Sequence, residues 1–240
     1  MGNHAYRVRF VFMGARRLIL WDIDSTLVNT GSAGQHALIR ATADWFGGEG
    51  DLSGVEIAGR TDRAIAHQVM EKYGEPATTE NVEAFLDRYV ALLPEELPNR
   101  NGRVLPGVRE LLENLARQPD KTLGLLTGNL ERGARLKLGY YDLWRFFPFG
   151  AFADDHHDRN ELGPCAVGRA AAHARWEFRP EEVDVIGDTG HDIACGKAIG
   201  ARTVAVATGS WPRERLAEYR PDFLFDDLSN VDEVMRTLAW

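Results

Sequence analysis

Leu18-Ile19-Leu20-Trp21 runs directly into Asp22-Ile23-Asp24-Ser25-Thr26, so an apolar segment of the chain ends at two aspartates. The four apolar residues predict a short buried β-strand. Because side chains alternate in direction along an extended chain, we expect Asp22 and Asp24 on the same side of the strand end. Two carboxylates about 4 Å apart repel by roughly 4 kcal/mol at an effective dielectric constant of about 20. A bound cation removes that repulsion, and oxygen ligands of this kind suit Mg²⁺.

Short apolar runs recur along the chain, with stretches of helical periodicity between them. The predicted buried strands are residues 18–21, 122–126, 183–186 and 203–207, with weaker candidates at 149–153 and 223–225. This alternation is typical of βαβ units. It predicts an α/β fold in which helices flank a parallel sheet.

Residues 29–103 contain no convincing strand and are predicted to be helical. Two apolar stripes support this prediction, Ile65, Val69, Met70 and Tyr73, and then Val82, Phe85, Leu86, Tyr89 and Leu93. The predicted helix breakers are Gly47, Gly48 and Gly50 for the first helix, and Pro94, Pro98 and Asn101-Gly102 for the last. The sequence therefore predicts a core domain of residues 1–28 and 104–240. A helical domain of residues 29–103 is inserted after the first core strand.

Polar side chains follow each of these strands where it ends. They are Asp22 and Asp24 after the first strand, Thr127, Gly128 and Asn129 after 122–126, Arg159 in the acidic segment after 149–153, and Asp188 and Asp192 after 183–186. Ligands of open parallel sheets bind beyond the carboxyl ends of the strands. We therefore expect these groups to meet at one edge of the sheet.

In these residues the chain resembles the haloacid dehalogenase (HAD) superfamily, in its phosphoglycolate-phosphatase-like branch with an inserted helical cap. The matching residues are Asp22, Asp24 and Thr26, then Thr127 in Leu126-Thr127-Gly128-Asn129, then Gly187-Asp188-Thr189 with Asp192. The resemblance extends from Arg17 onward. It implies a Rossmann-like core with 29–103 as the cap. It also implies an Mg²⁺-dependent phosphatase that hydrolyses a small phosphorylated metabolite, a phosphate monoester such as phosphoglycolate, through an aspartyl-phosphate.

The resemblance also implies a role for each matched residue. Asp22 corresponds to the nucleophile, and Asp24 to the acid that protonates the leaving oxygen and then activates water. The implied Mg²⁺ ligands are Asp22, Asp188 and the backbone carbonyl of Asp24, with Asp192 in or near the ligand shell. Phosphate contacts are implied for Thr26, Thr127, Gly128 and Asn129.

The chain departs from the family pattern in two places. Ser25 stands where the family most often has glycine, a change between two small residues. The third motif, usually a lysine followed by proline, is absent, since no lysine lies between Lys137 and Lys197. Arg159 is predicted to supply the missing cation, because an arginine can hold a carboxylate and a phosphate at once. Lys137 is the alternative.

The segment Gly59-Arg60-Thr61-Asp62 is the most distinctive polar element of the helical region. It looks like a substrate-contacting segment of the cap, and Arg60 is predicted to bind substrate. The alternative is structural, with Thr61 or Asp62 capping the next helix.

Single residues distinguish between other activities of the same superfamily. Asp24 counts against a dehalogenase, because that branch lacks the general acid. A sugar phosphomutase keeps both aspartates but tends to have valine in place of Thr26, so Thr26 favours hydrolysis. A mutase and a nucleotide phosphatase remain the alternatives. A non-catalytic pseudophosphatase is disfavoured because Asp22, Asp24 and Asp188 are all present.

Composition limits the partners. The formal charge of −8 argues against a nucleic-acid binder, which needs clustered Lys and Arg. No stretch approaches the length of a membrane span, and two cysteines make no disulfide framework. We expect a cytoplasmic monomer or homodimer. Residues 1–12 read as a short extension rather than a secretory signal, with Met13 as an alternative start.

Overall fold

The computed structural model describes residues 16–240, and within them it contains a six-stranded parallel sheet and a small two-stranded antiparallel sheet. The strands are β1 (Arg17–Trp21), β2 (Val28–Asn29), β3 (Arg103–Val104), β4 (Lys121–Leu126), β5 (Gly150–Ala151), β6 (Val183–Gly187), β7 (Arg202–Val206) and β8 (Phe223–Phe225). The large sheet has the order β5-β4-β1-β6-β7-β8. The predicted extension of residues 1–12 and the alternative start at Met13 lie outside the described residues.

Nine α-helices accompany these strands in the described part of the chain. They are α1 (Ala33–Phe46), α2 (Asp62–Tyr73), α3 (Thr79–Glu96), α4 (Val108–Ala116), α5 (Glu131–Tyr140), α6 (Leu162–Ala174), α7 (Gly190–Ala198), α8 (Arg213–Glu218) and α9 (Val231–Leu238). The predicted α/β fold, a Rossmann-like parallel sheet flanked by helices, is confirmed.

Strand β1 lies in the interior of the sheet and is covered on both faces. Leu18, Ile19, Leu20 and Trp21 have no solvent-exposed surface. Ile19 and Trp21 belong to one apolar cluster with residues of α4 and α9, whereas Leu18 and Leu20 belong to another with residues of α6. A strand buried on both faces explains why its sequence is an unbroken apolar run. Its carboxyl end therefore opens at the middle of the sheet edge.

The four strong strand predictions are confirmed to within one residue at each end, and the weak candidate at 223–225 is confirmed as β8. The candidate at 149–153 shortens to the two residues of β5, which pair with the last two residues of β4. Residues 154 and 155 already belong to a turn, because the side chain of Asp155 accepts a hydrogen bond from the backbone of Phe152.

Helices α1, α2 and α3 fill the chain between β2 and β3. The two predicted stripes face a common apolar cluster, in which Phe85 and Met70 have no exposed surface and Tyr73 is partly buried. Helix α1 ends at Gly47 as predicted. The expectation that Pro94 ends the last helix is wrong, since α3 continues to Glu96. Pro94 lies in the final turn, where the missing N–H forfeits one hydrogen bond and the preset φ still suits a helix.

The antiparallel pair β2–β3 closes the base of the helical region. Val28 pairs with Val104 and Asn29 with Arg103, so the chain enters and leaves the region side by side. Each of these strands takes one residue from the region that was expected to lack strands. The pair lies at the two predicted boundaries, 28/29 and 103/104. The division into two domains stays a prediction.

None of the helices in residues 16–240 combines the length and the hydropathy that a membrane crossing requires.

Candidate active site

A tight turn follows β1 and carries the two aspartates. The backbone N–H of Asp22 donates to the carbonyl of Ile186 at 3.0 Å, which continues the pairing of β1 with β6. Asp24 forms an isolated bridge with Val28. Between them in the turn, Ser25 has φ of +62° and donates its backbone N–H to the carbonyl of Val28 at 2.7 Å. This left-handed conformation explains why glycine suits the position, and serine carries some backbone strain there.

Three buried carboxylates meet beside this turn. Oxygen atoms of Asp22, Asp188 and Asp192 all lie within 4.8 Å of one another. Asp188 follows β6, and Asp192 lies in the first turn of α7. Gly209 allows the backbone to approach Asp188, because a Cβ on Gly209 would stand 1.7 Å from the Oδ2 atom of Asp188. An all-oxygen donor set in a buried position fits a hard divalent cation.

The carboxylates of this cluster carry more negative charge than the protein side chains around them balance. Burial raises the pKa of Asp22 to about 7, against the opposing charge of Arg159 and with the repulsion of Asp192 and Asp24 added. Burial and the neighbouring charges of Asp192 and Asp22 likewise raise the pKa of Asp188 well above its ordinary value. A bound cation would reverse both shifts, since it stabilises the ionised carboxylates.

Arg159 is the cation on this side of the site. Its Nη2 atom donates to Asp22 Oδ1 at 2.9 Å and also to Asp192, and its Nη1 atom donates to the carbonyl of Gly59 at 3.2 Å. Arg159 is 7% exposed. Burial alone would lower the pKa of Arg159, but the charges of Asp192 and Asp22 outweigh burial and raise it. The structure thus places Arg159 beside Asp22, and its role as the missing cation stays a prediction.

Lys137 is a second buried cation, on the other side of the turn. Its Nζ atom donates to Asp24 Oδ2 at 2.6 Å and to Asn129 Oδ1 at 2.6 Å. Tyr89 also contacts this ammonium group. Burial alone would lower the pKa of Lys137, but the charges of Asp24 and Asp62 keep it above the ordinary value. Arg159 and Lys137 were alternatives for one position, and the structure places both at the site.

The residues after β4 link these two sides. The Nδ2 atom of Asn129 donates to Asp24 Oδ2 at 2.9 Å and to Thr127 Oγ1 at 2.9 Å. Thr26 reaches towards the metal side, where its hydroxyl donates to Asp188 Oδ1 at 3.5 Å. Thr127 has no exposed surface, and Asn129 lines the cavity of the site.

The segment Gly59–Asp62 from the helical region packs directly on the residues after β4. The backbone N–H of Asp62 donates to the carbonyl of Gly128 at 2.7 Å, and the backbone N–H of Leu130 donates to Asp62 Oδ2 at 2.8 Å. A Cβ on Gly128 would stand 2.2 Å from the carbonyl oxygen of Arg60. Gly128 thus has a packing role in addition to its predicted contact with phosphate.

Thr61 caps the next helix, as the structural alternative proposed, whereas Asp62 is the first residue of that helix. The hydroxyl of Thr61 accepts a hydrogen bond from the backbone N–H of Ala64 at 3.1 Å and is the N-cap of α2. The buried carboxylate of Asp62 accepts from the residue that precedes α5. The side chain of Arg60 points to Glu56, with Nε and Oε2 2.9 Å apart, and both side chains are substantially exposed. Arg60 lines the cavity but contacts none of the predicted catalytic side chains.

A cavity of about 480 Å³ joins these groups. Its wall includes Asp22, Asp24, Arg60, Gly128, Asn129, Lys137, Arg159 and Asp188. Thr26, Thr127 and Asp192 stand behind this wall and contact residues in it. The structure thus brings the residues predicted from the sheet edge into one site, and their roles stay predictions.

For three residues of this site the sequence does not predict the contacts that the structure shows. Tyr89 is predicted only as part of the apolar stripe of α3, Lys137 as the alternative to Arg159, and Asp62 as a helix cap or as part of the polar segment Gly59–Asp62. No periodicity places Lys137 beside Asn129, because Asn129 precedes α5 and the two residues share no helical face. No pattern in the sequence indicates that Tyr89 directs its hydroxyl towards a lysine.

The family model for haloacid dehalogenase-like hydrolases matches residues 19–206. This match spans most of the chain and includes every aspartate of the site. The chain therefore belongs to the haloacid dehalogenase-like hydrolase family.

Individual relatives agree with this assignment. The chain is 30% identical over 223 residues to the "Probable phosphatase IndB" of Dickeya dadantii, covering 89% of this chain and 91% of the relative. It is 26% identical over 221 residues to the "Pyrophosphatase PpaX" of Bacillus cereus strain Q1, covering 89% and 93% of the two chains. At the level of enzyme class, the predicted phosphatase of this family is confirmed.

Solved structures share the fold at lower identity. The crystal structure of a predicted phosphoglycolate phosphatase from Haemophilus somnus superimposes with a TM-score of 0.69 at 19% identity. The match covers 93% of this chain and 99% of that one. This similarity confirms the architecture of the core and the helical region.

Proposed function

We propose that the protein is an Mg²⁺-dependent phosphatase that hydrolyses a small phosphate monoester through an aspartyl-phosphate on Asp22. One observation supports this proposal above the others. Asp22 and Asp24 lie two residues apart at the end of a central strand, and each is held by its own buried cation, Arg159 and Lys137 respectively. Two carboxylates with separate partners suit a nucleophile and an acid–base that act in turn.

In the first step, a carboxylate oxygen of Asp22 attacks phosphorus and the bond from phosphorus to the ester oxygen breaks. Asp24 gives its proton to the departing oxygen, which leaves as an alcohol. Lys137 and Asn129 both donate to the Oδ2 atom of Asp24. Two donors on Oδ2 favour the proton on Oδ1, so that oxygen is the one we assign to the leaving group.

In the second step, the ionised Asp24 accepts a proton from water as the water oxygen attacks phosphorus. The bond from phosphorus to Asp22 breaks, and inorganic phosphate leaves. The two steps consume one water and regenerate both carboxyl groups. Asn129 lines the cavity, where its amide can bind phosphoryl oxygens. Thr127 accepts a hydrogen bond from Asn129 and orients it from behind the wall, and Thr26 orients Asp188.

The residues that would hold Mg²⁺ are Asp22, Asp188 and the backbone carbonyl of Asp24, with Asp192 adjacent. The bound ion would neutralise charge on the phosphoryl group, which otherwise repels an attacking carboxylate. Asp192 already accepts hydrogen bonds from the backbone and hydroxyl of Thr189 and from Arg159. We therefore assign Asp192 to positioning Arg159 and α7 rather than to direct coordination.

Residues 29–103 are proposed to act as a cap that excludes bulk water and selects the substrate. The contact of Gly59–Asp62 with Gly128 supports this role, because it brings the helical region against the residues after β4. Arg60 is proposed to contact substrate from the cavity rim. Phosphoglycolate, sugar phosphates and nucleotides are the candidate substrates at this level.

A sugar phosphomutase is the alternative within the same fold. Such an enzyme returns the phosphoryl group to sugar instead of water, so ³¹P NMR of a sugar phosphate would show an isomer without free phosphate. We also propose a cytoplasmic monomer or homodimer that binds neither nucleic acid nor membrane. The net charge of −8 supports the absence of nucleic-acid binding.

The test is a phosphate-release assay of the purified protein with and without Mg²⁺, against small phosphate monoesters and an aryl phosphate. We expect release only with the divalent ion, and its loss in Asp22→Asn and Asp24→Asn. The matched control is Asp87→Asn, an exposed carboxylate paired with Arg132 at 2.6 Å. Activity that survives in Asp22→Asn would show that Asp22 is not the nucleophile.

A further inference from the structure

One end of the cavity is formed by the helical region and has no role in the chemistry above. Its uncharged lining includes Asn29, Ser32, Gln35, Leu38, Ile65 and Tyr89, and its charged side chains are Arg60 and Asp62. The amide and hydroxyl groups among them can hydrogen-bond to a ligand, and the two aliphatic side chains offer apolar surface. This end faces the leaving group if phosphorus is held at Asp22.

The cations that reach the cavity are already paired. Among residues 16–240, its wall contains three of them, Arg60, Lys137 and Arg159. Lys137 donates to Asp24 and Asn129, and Arg159 donates to Asp22. Both are almost completely buried. Neither can move to a second anionic group without leaving a buried carboxylate unpaired.

Arg60 is the remaining cation, and Glu56 neutralises it. The Nη2 and Oε2 atoms of this pair are 2.5 Å apart, and both side chains are more than 40% exposed. Glu56 also lies 3.5 Å from the imidazole of His191. The rim of the cavity therefore offers no net positive charge at this position.

A fourth carboxylate adds to the negative character of the wall. Asp62 lines the cavity, is 5% exposed and accepts a hydrogen bond from the backbone of Leu130. Asp22, Asp24 and Asp188 belong to the reacting and metal-binding side, so among the described wall residues Asp62 is the acidic group that remains when Mg²⁺ is bound. A carboxylate or second phosphate on the leaving group would enter this surrounding without a free partner.

We propose that this site takes phosphate monoesters whose leaving group is an uncharged alcohol, and rejects esters whose leaving group carries a second anion. The inference rests on the proposed function and narrows its substrate class. The preferred leaving group combines hydroxyls, which Asn29 and Gln35 can bind, with carbon surface that packs on Leu38 and Ile65. Sugar phosphates and nucleoside monophosphates belong to this class, whereas phosphoglycolate and pyrophosphate do not.

The experiment compares pairs of esters that differ in a single charge. The pairs are 2-hydroxyethyl phosphate with phosphoglycolate, glycerol 3-phosphate with 3-phosphoglycerate, and glucose 6-phosphate with 6-phosphogluconate. Each pair exchanges a neutral oxygen-bearing carbon for a carboxylate and retains the phosphoryl group. We expect kcat/KM, measured with Mg²⁺, to favour the neutral member by roughly 100-fold in at least one pair.

A charge added at the rim provides the complementary test. Gln35 is exposed at the cavity, so Gln35→Arg introduces a free cation without disturbing the core. We expect this variant to lower the ratio of kcat/KM for the neutral member to kcat/KM for the anionic member by roughly threefold to tenfold. Gln35→Met removes the amide without adding charge, so the difference between the two variants separates the effect of the charge from the loss of the amide's hydrogen bonds.

The outcomes separate this inference from the function on which it rests. A preference for the carboxylate member, or no preference for the neutral member in any pair, overturns the inference while the aryl phosphate is still hydrolysed. Failure to hydrolyse every compound, the aryl phosphate included, contradicts the phosphatase proposal itself. A ratio that Gln35→Arg and Gln35→Met change equally would show that charge does not set the preference.

Discussion

The two sides of the turn after β1 differ in how well their carboxylates are balanced by cations. On one side, Asp22, Asp188 and Asp192 share a single arginine, so the carboxylates outnumber the cations. On the other, Asp24 is matched by Lys137, and Asn129 supplies neutral donors. The first arrangement is incomplete without a divalent ion. The second is complete as it stands and fixes the orientation of one carboxyl group.

The nucleophile should show the largest effect. Asp22→Asn keeps the size and shape of the side chain but removes the attacking oxygen anion, so we expect kcat to fall by at least about 10⁴-fold. The measurement is phosphate release from an aryl phosphate with Mg²⁺, with thermal unfolding to verify the fold. Asp87→Asn should retain the parent rate. A loss below tenfold would transfer the nucleophile's role to another group.

The metal side should make stability depend on pH when no divalent ion is present. The pKa of Asp22 is raised from 3.8 to about 7 on folding, so the folded state holds a proton that the unfolded state loses. Through Asp22 alone, the metal-free protein should therefore lose up to about 4 kcal/mol of stability as pH rises from about 4 to about 7. Denaturant unfolding in the presence of a chelator, at about pH 5 and about pH 7.5, measures this change.

Mg²⁺ should reverse that loss, because it binds the ionised carboxylates. We expect the ion to raise the free energy of unfolding more at about pH 7.5 than at about pH 5. Asp188→Asn should remove most of this gain. An equal gain at both values of pH would contradict the assignment of the ion to these carboxylates.

The lysine side should affect leaving groups unequally. Lys137→Met removes a donor to Asp24 Oδ2, and the acid that protonates the departing oxygen loses its fixed orientation. We expect kcat/KM to fall by about 100-fold for alkyl phosphates but only about tenfold for an aryl phosphate, whose leaving group needs less protonation. Lys197→Met is the control, since Lys197 is exposed and donates to the backbone carbonyl of Tyr219 at 2.6 Å. Equal losses on both substrates would indicate a purely structural role.

The turn that separates the two sides should show the smallest effect. Ser25 has φ of +62°, and glycine adopts this conformation without strain. We expect Ser25→Gly to raise the free energy of unfolding by up to about 1 kcal/mol. Chemical denaturation measures the change. Ser210→Gly, at a serine outside the left-handed region, should instead be neutral or slightly destabilising.

Much of the fold could be predicted because its physical signals are local. The run of residues 18–21 indicates burial on both faces, and the aspartates that follow it lie at the sheet edge for the same reason. The stripe from Val82 to Leu93 was also sufficient to predict α3. The two-residue strands β2 and β3 could not be predicted in this way, because so few residues carry no period, and the candidate at 149–153 overestimates the length of β5.

Which side chains contact each other inside the site was harder to predict than which residues belong to it. Sequence order indicated that Arg159 or Lys137 meets a carboxylate, but not that each takes a different one. Gly128 illustrates the same limit, since its contact with Arg60 joins segments about seventy residues apart. Such contacts depend on how the helical region docks, which no local pattern encodes.

The contact between Gly59–Asp62 and Gly128 also limits how the chain can be recombined. Asp62 begins α2 and at the same time supplies an acceptor at the start of α5, so one carboxylate serves two helices from different parts of the sequence. A chimaera that combines residues 29–103 with another core therefore contains only one side of this contact. The recipient must offer a residue without a side chain at the position of Gly128 and an unpaired N–H at that of Leu130. Segment swapping can therefore exchange substrate preference between relatives only where the recipient core provides both of these features.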